Sequence, residues 1–523
     1  MHEGFNASTW LIDRHVEAGN GDRVALRCQG RSYSYAETRQ LVQEAAGALR
    51  RLGVGPEDRV AMALLDSVEF VTIFLGAMRI GAIPVPMNPL LPGRDLAVIA
   101  NEARARTVAV SAEVADRVDE LRAGAPELRD VIVTGPDLTE GCTQAWPSFV
   151  EDPHDASPYP TWTESPGFWL CTSGSTGQPK LAMHRHADIR VTCETYAADV
   201  IAISPEDRCF SVGPMFHAYG LGNSLTFPFS VGATSVLEPT RPPTPQLVAD
   251  VMAAEQPTLF FCIPTFYAAL NAAPLADDTF ASVRHGISAS EPLPAETFTR
   301  FQERYGVTVL DGIGSTEQLH IYLSNTPGRV KAGTSGVPVP GYDVRVIDNE
   351  GRDQPDGEAG ELIVSGQSAA TGYWCRAEQS RATFEGRWMR TGDLYVRHAD
   401  GFHTYLGRVD DMLRVGGEWV SPAEVEAALI EHDAVLEAAV VGERDDGGVV
   451  RPIAFVIASP GESPRADDLD AWCRTRLAGY KRPRRFEMVE QLPKTATGKI
   501  QRYKLRARPL AGPAASGTNP EEH

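Results

Sequence analysis

The sequence predicts an α/β fold with a mostly parallel sheet, because strand-like and helix-like segments alternate through its first two thirds. Residues 60–65 form a short apolar run that is typical of a buried strand. Residues 69–80 have the length and apolar character of a buried helix, and residues 82–85 indicate the next strand. A helix that joins two such strands is the usual connection between parallel neighbours.

Two Ser-x-x-Glu sequences mark where helices begin, one from Ser34 to Glu37 and one from Ser421 to Glu424. In a capping box, the serine side chain accepts a free backbone N–H of the first turn, and the glutamate reaches back to the serine backbone. Pro422 strengthens the second signal, since proline is favoured at the first helical position. We therefore expect helices that start immediately after each serine.

The residue pattern changes twice along the chain, which predicts separate parts. Residues 333–407 consist of short alternating runs between Gly and Asp-Gly turns, which indicate a small β-rich subdomain. After Arg408 a new strand, helix and strand follow, the last at residues 438–442. At 523 residues the chain is too long for one core. We predict a large N-terminal domain (1–408), a small C-terminal domain (409–510) and a disordered tail (511–523), with the boundary near Asp410.

The composition weighs against several kinds of partner. The net charge is −20, from 49 basic and 69 acidic residues, which disfavours nucleic acid or an anionic membrane as the main partner. The longest apolar stretch, residues 70–78, is too short to span a membrane, and the N-terminus lacks the features of a secretory signal. The eight cysteines include no C-x-x-C pair, so we expect free thiols in a reducing cytoplasm. A metal site or a cysteine nucleophile is the less favoured interpretation.

A glycine-rich segment follows the apolar run at residues 168–171. Its small residues would let backbone N–H groups and hydroxyls approach phosphate oxygens, and its lysine would add positive charge. The spacing is not that of a Walker A loop, in which Gly, Lys and Ser/Thr are contiguous. The alternative is a flexible linker, but a linker does not require a strand before it. The candidate phosphate-binding residues are Thr172, Ser173, Gly174, Ser175, Thr176, Gly177 and Lys180.

Two later turns present side-chain oxygen atoms. In residues 311–317 the Thr316 hydroxyl precedes the Glu317 carboxylate, a pairing that suits a phosphate contact beside a Mg²⁺ ligand. In residues 391–393, Asp393 stands at a tight turn, where a carboxylate can accept from both hydroxyls of a ribose. Taken singly, residues 311–317 could equally be the N-terminus of a helix with a glutamate in its first turn. Residues 391–393 could equally be a solvent-exposed turn.

A lysine close to the end of the sequence completes the set. Lys499 stands in a Thr/Gly-rich turn between Gly498 and Ile500. A lysine in such a turn can act as a point charge on a carboxylate and a phosphate as they react. Taken singly, it is equally an exposed surface lysine. The four segments in this order favour chemistry on ATP that is spread over two domains.

Together these residues resemble the adenylate-forming superfamily, which contains acyl-CoA synthetases, non-ribosomal adenylation domains and luciferases. The resemblance extends from the Ser34 helix to Lys499, with every expected segment in order. Within the superfamily, the sequence is most similar to the benzoate-CoA ligase branch, on residues 218–223, 311–321, 323–325 and 419–422. His217 departs from that branch, where an aromatic is expected, and matches other acyl-CoA synthetases. We therefore expect the entrance of the acyl pocket to differ.

The resemblance implies a fold and a reaction. The fold is a large N-terminal domain with two parallel-sheet α/β subdomains and a β-rich subdomain, followed by a small mobile α+β domain. The reaction has two steps: a carboxylate and Mg·ATP give an acyl-adenylate and pyrophosphate, and a thiol then displaces AMP. The implied cofactors are ATP, Mg²⁺ and coenzyme A.

The same resemblance assigns roles to particular residues. The segment from Thr172 to Lys180 would bind the β- and γ-phosphates, and Ser290 and Glu291 would lie along the adenine, with Asp311 and Gly312 nearby. Thr316 would contact phosphate, Glu317 would hold Mg²⁺, and Asp393 would bind the ribose with help from Arg408. Lys499 would bridge the substrate carboxylate and the α-phosphate, and Asp410 would be the hinge of the small domain.

The acyl pocket implied by the resemblance has small, flat and aromatic walls, which suit a planar ring. Its residues would be Ala218, Tyr219, Gly314, His320 and Ile321, with His217 at the entrance. Without the resemblance, His320 would be interpreted as a core histidine with a backbone partner. We expect an aryl-CoA ligase for benzoate or a simple substituted benzoate, acting as a monomer or a homodimer.

Two alternatives remain open from the sequence. A starter-unit ligase would perform the same first step and load the phosphopantetheine of an acyl carrier protein, which ends in the same pantetheine arm as CoA. An inactive relative would bind acyl ligands as a sensor or scaffold. The second is disfavoured because Lys499, Glu317 and Asp393 are all present.

Overall fold

The computed structural model describes residues 3–135, 137–151, 155–173, 179–415, 418–444, 449–493 and 500–506. The chain divides into two compact units, Met1–Val409 and Asp410–His523. Each unit has buried clusters of apolar side chains of its own. The predicted tail, residues 511–523, lies outside the described residues.

A nine-stranded sheet forms the centre of the first unit. Its inner strands are parallel, and one strand at one edge and two at the other are antiparallel. Leu259–Cys262 is buried at every residue, as expected for a parallel strand covered on both faces. In spatial order the strands are Val337–Pro338, Ile321–Ser324, Val309–Gly314, His285–Ser288, Leu259–Cys262, Arg208–Ser211, Thr234–Leu237, Val24–Cys28 and Arg31–Ser34.

A second sheet of the first unit has five strands, all parallel. The predicted strand, helix and strand of residues 60–85 are confirmed here as Arg59–Ala63, Val68–Arg79 and Ile83–Pro86. The helix is buried along almost its whole length, and its Arg79 is paired with Asp13 (Nη1 to Oδ2, 2.9 Å). In spatial order the strands are Ile83–Pro86, Arg59–Ala63, Thr107–Val110, Asp130–Val133 and Gln144–Ala145.

The predicted β-rich subdomain is confirmed as an antiparallel five-stranded sheet. A separate antiparallel hairpin, Pro166–Ser173 with Pro179–Arg185, contributes Phe168 to the main core. The strands of the β-rich sheet are Asp343–Ile347, Ala359–Ser365, Phe384–Glu385, Trp388–Arg397 and His403–Arg408.

The helices of the first unit cover both parallel sheets. The capping box at Ser34 is confirmed: Ser34 Oγ accepts from Glu37 N (3.1 Å), and Ser34 N donates to Glu37 Oε2 (2.7 Å). None of the helices in the described part of the chain combines the length and the hydropathy that a membrane crossing requires. The α-helices are Ala7–Leu11, Asp13–Glu17, Tyr35–Arg51, Val68–Arg79, Gly93–Glu102, Val118–Gly124, Trp146–Val150, His186–Thr192, Ala218–Leu221, Phe227–Val231, Pro245–Glu255, Pro264–Ala272, Ala295–Tyr305 and Ala377–Thr383.

Short segments of other helix types occur beside these. The segments Cys193–Val200 and Gly222–Thr226 are π-helical, and both lie next to an α-helix that ends where they begin. Wider turns of this type are frequent at functional sites. The 3₁₀ turns are Ala112–Arg117, Thr316–Gln318 and Val409–Asp411.

The second unit has a small α+β arrangement. Ser421 caps its first helix, because its Oγ accepts from Glu424 N (3.0 Å), and Glu424 binds Lys481 through both carboxylate oxygens. The predicted strand at residues 438–442 is confirmed within Val435–Arg444. The strands are Val435–Arg444, Val450–Ala458 and Arg485–Met488, with the hairpin Leu413–Val415 and Glu418–Val420, and the helices are Pro422–Ile430, Ala466–Arg474 and Arg502–Arg506.

Candidate active site

The predicted phosphate segment begins and ends on one hairpin. Thr172 and Lys180 are directly opposed in the antiparallel pair, so both ends of the segment lie at the same place. The side chains of Thr172 and Lys180 are half-buried, and Lys180 Nζ is 4.8 Å from the centre of the Tyr373 ring. Gly174, Ser175, Thr176 and Gly177 lie outside the described residues, as does the side chain of Ser173.

The Thr316–Glu317 turn lies beside this hairpin, and hydrogen bonds to its own two carbonyl groups hold it in place. The Thr316 carbonyl lies 2.8 Å from Nε2 of His184, a residue of the hairpin. The Glu317 carbonyl accepts from Ala370 N (2.8 Å). The backbone of the turn is fixed in this way, and the side chains of Thr316 and Glu317 are half-buried.

Tyr373 connects the turn to the phosphate segment. Its phenol donates to Glu317 Oε1 (2.7 Å), while Lys180 lies over its ring. Burial, and then the neighbouring Glu317 charge, raise the pKa of Tyr373 above its usual range, so the phenol keeps its proton. One cation, one aromatic ring and one carboxylate therefore form a continuous group. No contiguous motif pointed to Tyr373.

This group fits Mg²⁺ that is held jointly with phosphate. Magnesium ions are commonly bound by one or two carboxylates together with substrate phosphates and water. Glu317 supplies one carboxylate, and within the described residues no group of three or more His, Cys, Asp or Glu could form an all-protein site. The oxygen ligands present are thus of the right type, with the remaining coordination left to phosphate and water.

Asp393 and Arg408 are paired on neighbouring strands of the β-rich sheet. They are register partners, and Arg408 Nη1 donates to Asp393 Oδ1 (2.9 Å) and to the Thr391 carbonyl (2.7 Å). Gly392 has φ +70°, and a Cβ there would lie 2.8 Å from Arg408 Nη2. Residues 391–393 thus lie within the strand Trp388–Arg397 and not in the predicted tight turn, and the positive φ favours glycine at 392. Arg408 orients the carboxylate that is predicted to bind ribose.

The residues predicted along the adenine lie at the carboxyl ends of two inner strands of the nine-stranded sheet. Asp311 is the register partner of Ser288, and Ser290 and Glu291 follow directly after that strand. Ligands of open α/β sheets bind at this position, outside the carboxyl ends of parallel strands. Burial raises the pKa of Asp311 to about 8, against the lowering effect of the Ser288 hydroxyl. Gly312 is buried next to Asp311.

The predicted acyl-pocket residues meet around His320. The ring centre of His320 lies 5.6 Å from that of Tyr219, 5.2 Å from Tyr196 and 4.4 Å from Phe227. The Tyr219 hydroxyl lies 3.1 Å from the Ile287 carbonyl, which fixes its ring. The described side chains thus form a cluster of flat rings, as the pocket prediction requires.

Two glycines permit this arrangement. A Cβ at Gly222 would lie 2.5 Å from His320 Cδ2, and a Cβ at Gly314 would lie 2.4 Å from the His320 carbonyl oxygen. Ala218 and Ile321 are buried beside them. His217 is the N-cap residue of the helix Ala218–Leu221 and packs on Phe216 (4.2 Å between ring centres).

His320 is a neutral hydrogen-bonding group. Burial lowers the pKa of His320 to about 3, so the ring carries no charge near neutral pH. Its Nε2 lies 3.2 Å from Asn223 Oδ1, an atom that only accepts, so this orientation assigns the ring proton to Nε2. A buried neutral ring beside apolar aromatics suits an uncharged aryl group.

Two predicted residues, Lys499 and Asp410, remain. Lys499 lies outside the described residues, but the chain ends on either side of it meet, because Gln501 N donates to the Pro493 carbonyl (2.7 Å). Asp410 is the first residue of the second unit. Its neighbour Asp411 binds Arg506 within that unit (2.7 Å).

Sequence reasoning missed five residues of this site: His184, Tyr196, Asn223, Phe227 and Tyr373. Their contacts join segments that are far apart in sequence, such as Tyr373 with Glu317 and His184 with Thr316. Asn223 belongs to the segment 218–223 that carried the resemblance, but no role was assigned to it there. Tyr196 and Asn223 both lie in π-helical segments, which often mark functional sites but are visible only in the structure.

The fold and this site define an enzyme that binds adenine nucleotides, and the comparisons agree. The family of AMP-binding enzymes matches residues 12–374, and the C-terminal domain of AMP-binding enzymes matches residues 424–499. The chain therefore belongs to the AMP-binding enzyme family, the adenylate-forming superfamily that the sequence motifs indicated.

Within the family, this chain is similar to aryl-CoA ligases over nearly its whole length. It is 44% identical to the benzoate–CoA ligase of Thauera aromatica, over 97% of this chain and 96% of that protein. It is 41% identical to the 4-hydroxybenzoate–CoA/benzoate–CoA ligase of Rhodopseudomonas palustris, over 99% of this chain and 97% of that protein. An anthranilate CoA ligase solved with anthranoyl-AMP has a TM-score of 0.93 and 37% identity, over 97% of each chain.

Proposed function

We propose that this chain is an ATP-dependent aryl-CoA ligase. It converts benzoate or a simple substituted benzoate into the aroyl-adenylate with release of pyrophosphate, and then transfers the aroyl group to CoA with release of AMP. The observation that carries the proposal is one hairpin, Val309–Gly314 with Ile321–Ser324. The connection between the two strands contains Thr316 and Glu317. Gly314 ends the first strand, and His320 and Ile321, which are predicted to line the acyl pocket, stand where the second strand begins.

This hairpin brings the two reacting groups together. An aryl ring packed against His320 and Tyr219 would have its carboxylate near the Thr316–Glu317 turn, because His320 and the turn belong to the same connection between two strands. The phosphates would lie between this turn and the hairpin that carries Thr172 and Lys180. Holding reactants in this way supplies much of the rate enhancement in such reactions, through orientation.

The nucleotide would be held by three groups of residues in the first unit. The adenine would lie along Ser290 and Glu291, near Asp311 and Gly312, and the ribose hydroxyls would bind Asp393, oriented by Arg408. The segment 172–180 would bind the β- and γ-phosphates. Support for these roles comes from the geometry at the carboxyl ends of the sheet strands and in the β-rich sheet.

Glu317 would hold Mg²⁺, with Tyr373 fixing one of its carboxylate oxygens. When bound, the ion would neutralise charge on the phosphates. The chain's own contribution is to place Thr316 and Lys180 on phosphate oxygens and to exclude water from the aryl pocket. In the first step, a carboxylate oxygen of the substrate attacks the α-phosphorus and the bond to pyrophosphate breaks. Lys499 would neutralise the substrate carboxylate and the α-phosphate as they approach.

The second step would use a different arrangement of the two units. The thiol sulfur attacks the carbonyl carbon of the adenylate, loses its proton, and AMP leaves with the bonding electrons. Residues 1–408 would bind ATP and the carboxylate, and residues 409–510 would rotate about Asp410 between the two steps, a hinge motion of a known type.

ATP–pyrophosphate exchange without added thiol tests the first step. Benzoate is compared with acetate, hexanoate and phenylalanine, and Lys499→Ala serves as the inactive reference. We expect exchange with benzoate and a loss of at least ~10²–10³-fold in the variant. Exchange with hexanoate far above that with benzoate contradicts the aryl assignment. Silence with all four acids points to a substituted aryl acid as the substrate or to the inactive acyl-binding alternative.

The acceptor thiol requires its own experiment, because CoA and a holo acyl carrier protein end in the same pantetheine arm. Turnover of the preformed benzoyl-adenylate is measured with each thiol at matched concentration. We expect CoA to be the better acceptor. Transfer to a carrier protein alone would replace CoA in the proposal. Size-exclusion chromatography on the same sample separates a monomer from a homodimer.

We also infer a reducing, cytoplasmic location from the cysteines. All eight are free thiols, and five of them are buried: Cys28, Cys193, Cys209, Cys262 and Cys473. Free buried thiols persist in reducing compartments. Localisation of a tagged full-length protein tests this inference.

A further inference from the structure

A buried histidine connects the phosphate hairpin to the Thr316–Glu317 turn. His184 lies on the strand Pro179–Arg185, four residues after Lys180, and its side chain is fully buried. Its Nδ1 is 2.9 Å from Asp188 Oδ2, and its Nε2 is 2.8 Å from the Thr316 carbonyl oxygen. The ring also stacks on Phe168, with 5.1 Å between centres and 15° between planes. The imidazole is therefore fixed at both nitrogens and on one face.

The partners of the ring determine where its protons lie. Asp188 accepts from Arg185 N (3.0 Å), from Arg185 Nε (3.0 Å) and from Arg185 Nη2 (2.8 Å), so its position is fixed. A peptide carbonyl oxygen can only accept a hydrogen bond. Since the Thr316 oxygen only accepts, Nε2 is the nitrogen that donates in the 2.8 Å contact. His184 therefore presents an N–H to the backbone of the turn.

The contacts of His184 differ in where they lead. The Asp188 contact stays within the strand and the helix that follows it. The hydrogen bond to Thr316 is different, because it reaches from the phosphate hairpin to the residue whose neighbour, Glu317, is fixed by Tyr373.

We propose that His184 is a positioning residue for the ATP half-reaction. Held by Asp188, it donates a hydrogen bond to the Thr316 carbonyl and thereby fixes the turn that presents Thr316 and Glu317 to Mg·ATP. This inference rests on the proposed function, in which that turn contacts the phosphates. His184 should therefore affect the use of Mg·ATP and leave the binding of the aryl acid unchanged.

Two substitutions at the same position separate the two nitrogens. The amide nitrogen of Gln occupies the place of Nε2, so His184→Gln keeps a donor to the Thr316 carbonyl and loses the contact with Asp188. The amide nitrogen of Asn occupies the place of Nδ1, so His184→Asn keeps the contact with Asp188 and loses the donor to Thr316. The matched control is His186→Asn, since His186 is also buried but pairs with Ala7 N (3.1 Å), away from the turn.

Benzoate-dependent ATP–pyrophosphate exchange is measured for each variant, with separate KM values for Mg·ATP and benzoate. We expect His184→Asn to lower kcat/KM for Mg·ATP by about 10–100-fold, the usual effect of removing a group that orients a ligand-binding residue. Its KM for benzoate should stay within about threefold of the wild type, and His184→Gln and His186→Asn should both stay within about threefold in all constants. Equal losses in the Asn and Gln variants, or KM values for both substrates that rise together, would overturn the proposal.

Folding of each variant is checked by its melting temperature before kinetics. If His184→Asn does not fold, Asp188→Asn is measured instead, because a neutral amide holds Nδ1 less strongly than a carboxyl group while the side-chain volume is kept. We then expect kcat/KM for Mg·ATP to fall by about tenfold with the KM for benzoate unchanged, and unchanged ATP kinetics would overturn the proposal. A wild-type protein without exchange on benzoate or any simple substituted benzoate refutes the proposed function itself, which keeps the two failures distinct.

Discussion

Tyr373 donates a hydrogen bond to Glu317 across 2.7 Å, although the two residues are 56 positions apart in the chain. Glu317 is the carboxylate that the motif pattern assigns to Mg²⁺, and Tyr373 also carries Lys180 over its ring at 4.8 Å. The bond leaves the other carboxylate oxygen of Glu317 in a defined orientation. The aromatic ring thus positions a candidate metal ligand and a candidate phosphate ligand at the same time.

Removal of the Tyr373 hydroxyl should weaken the use of Mg·ATP. In Tyr373→Phe the ring remains under Lys180 but Glu317 loses its donor, and we expect kcat/KM for Mg·ATP to fall by about 10–100-fold. The Mg²⁺ concentration that gives half-maximal exchange should rise. Tyr305→Phe is the matched control, since its hydroxyl bonds the Leu270 carbonyl (3.1 Å) on an outer helix. Equal Mg²⁺ dependence in both variants contradicts this role of Tyr373.

A methyl group at position 222 should weaken the binding of the aryl acid and leave the binding of the nucleotide unchanged. A Cβ there would lie 2.5 Å from His320 Cδ2, so Gly222→Ala must displace the ring that forms the pocket wall. We expect the KM for benzoate to rise by about tenfold or more, equivalent to the roughly 1–3 kcal/mol that one methylene contributes in such pockets. The KM for Mg·ATP should stay within about twofold of the wild type.

The control for this variant is Gly55→Ala, because the nearest atom to a Cβ there is Asp58 Oδ2 at 3.7 Å, an ordinary contact. Gly55→Ala should leave both KM values unchanged. If Gly222→Ala bound benzoate as well as the wild type does, His320 would not form a wall of the acyl pocket.

Asp311 should make the stability of the first unit depend on pH. Burial raises the pKa of Asp311 from 3.8 to about 8, so between these values the folded protein keeps a proton that the unfolded chain releases. The contribution is fully present below pH ~4 and is lost as the pH rises through about 8. We expect Asp311→Asn, which cannot release a proton, to remove a slope of up to ~1.4 kcal/mol per pH unit over this range.

Thermal unfolding from pH 5 to 8 measures this effect, with Asp278→Asn, at an exposed position, as the control. The melting temperature of the wild type should fall relative to that of Asp311→Asn as the pH rises. Parallel curves for the two proteins would mean that Asp311 is ionised in the folded state throughout.

Restriction of the backbone at Asp410 should separate the two half-reactions. Asp410 begins the second unit, and proline fixes φ near −65°, which would prevent rotation of the backbone there. We expect Asp410→Pro to keep ATP–pyrophosphate exchange within about threefold and to lower aroyl transfer to CoA by at least ~10²-fold. Asp410→Ala should preserve both steps. Loss of both steps in the proline variant, or of neither, contradicts the hinge assignment.

Local sequence patterns were sufficient for the elements whose stability is local. The Ser34 capping box and the helix Val68–Arg79 follow from side chains that contact residues within one turn, or from an unbroken apolar run. The four chemical motifs were likewise visible because each is contiguous in sequence. The sequence could not show that Asp393 and Arg408 are register partners, because strand register depends on pairing across the sheet.

The sequence by itself thus determined the fold class, the family and the order of the candidate site segments, since these depend on periodicity and on contiguous motifs. Only the tertiary structure decided which groups support them. His184 reaches Thr316 across 132 residues, and Phe227 and Tyr196 meet His320 from separate helical segments. No local pattern encodes such contacts, because they arise when packing brings distant segments together and each buried polar group must then find a partner.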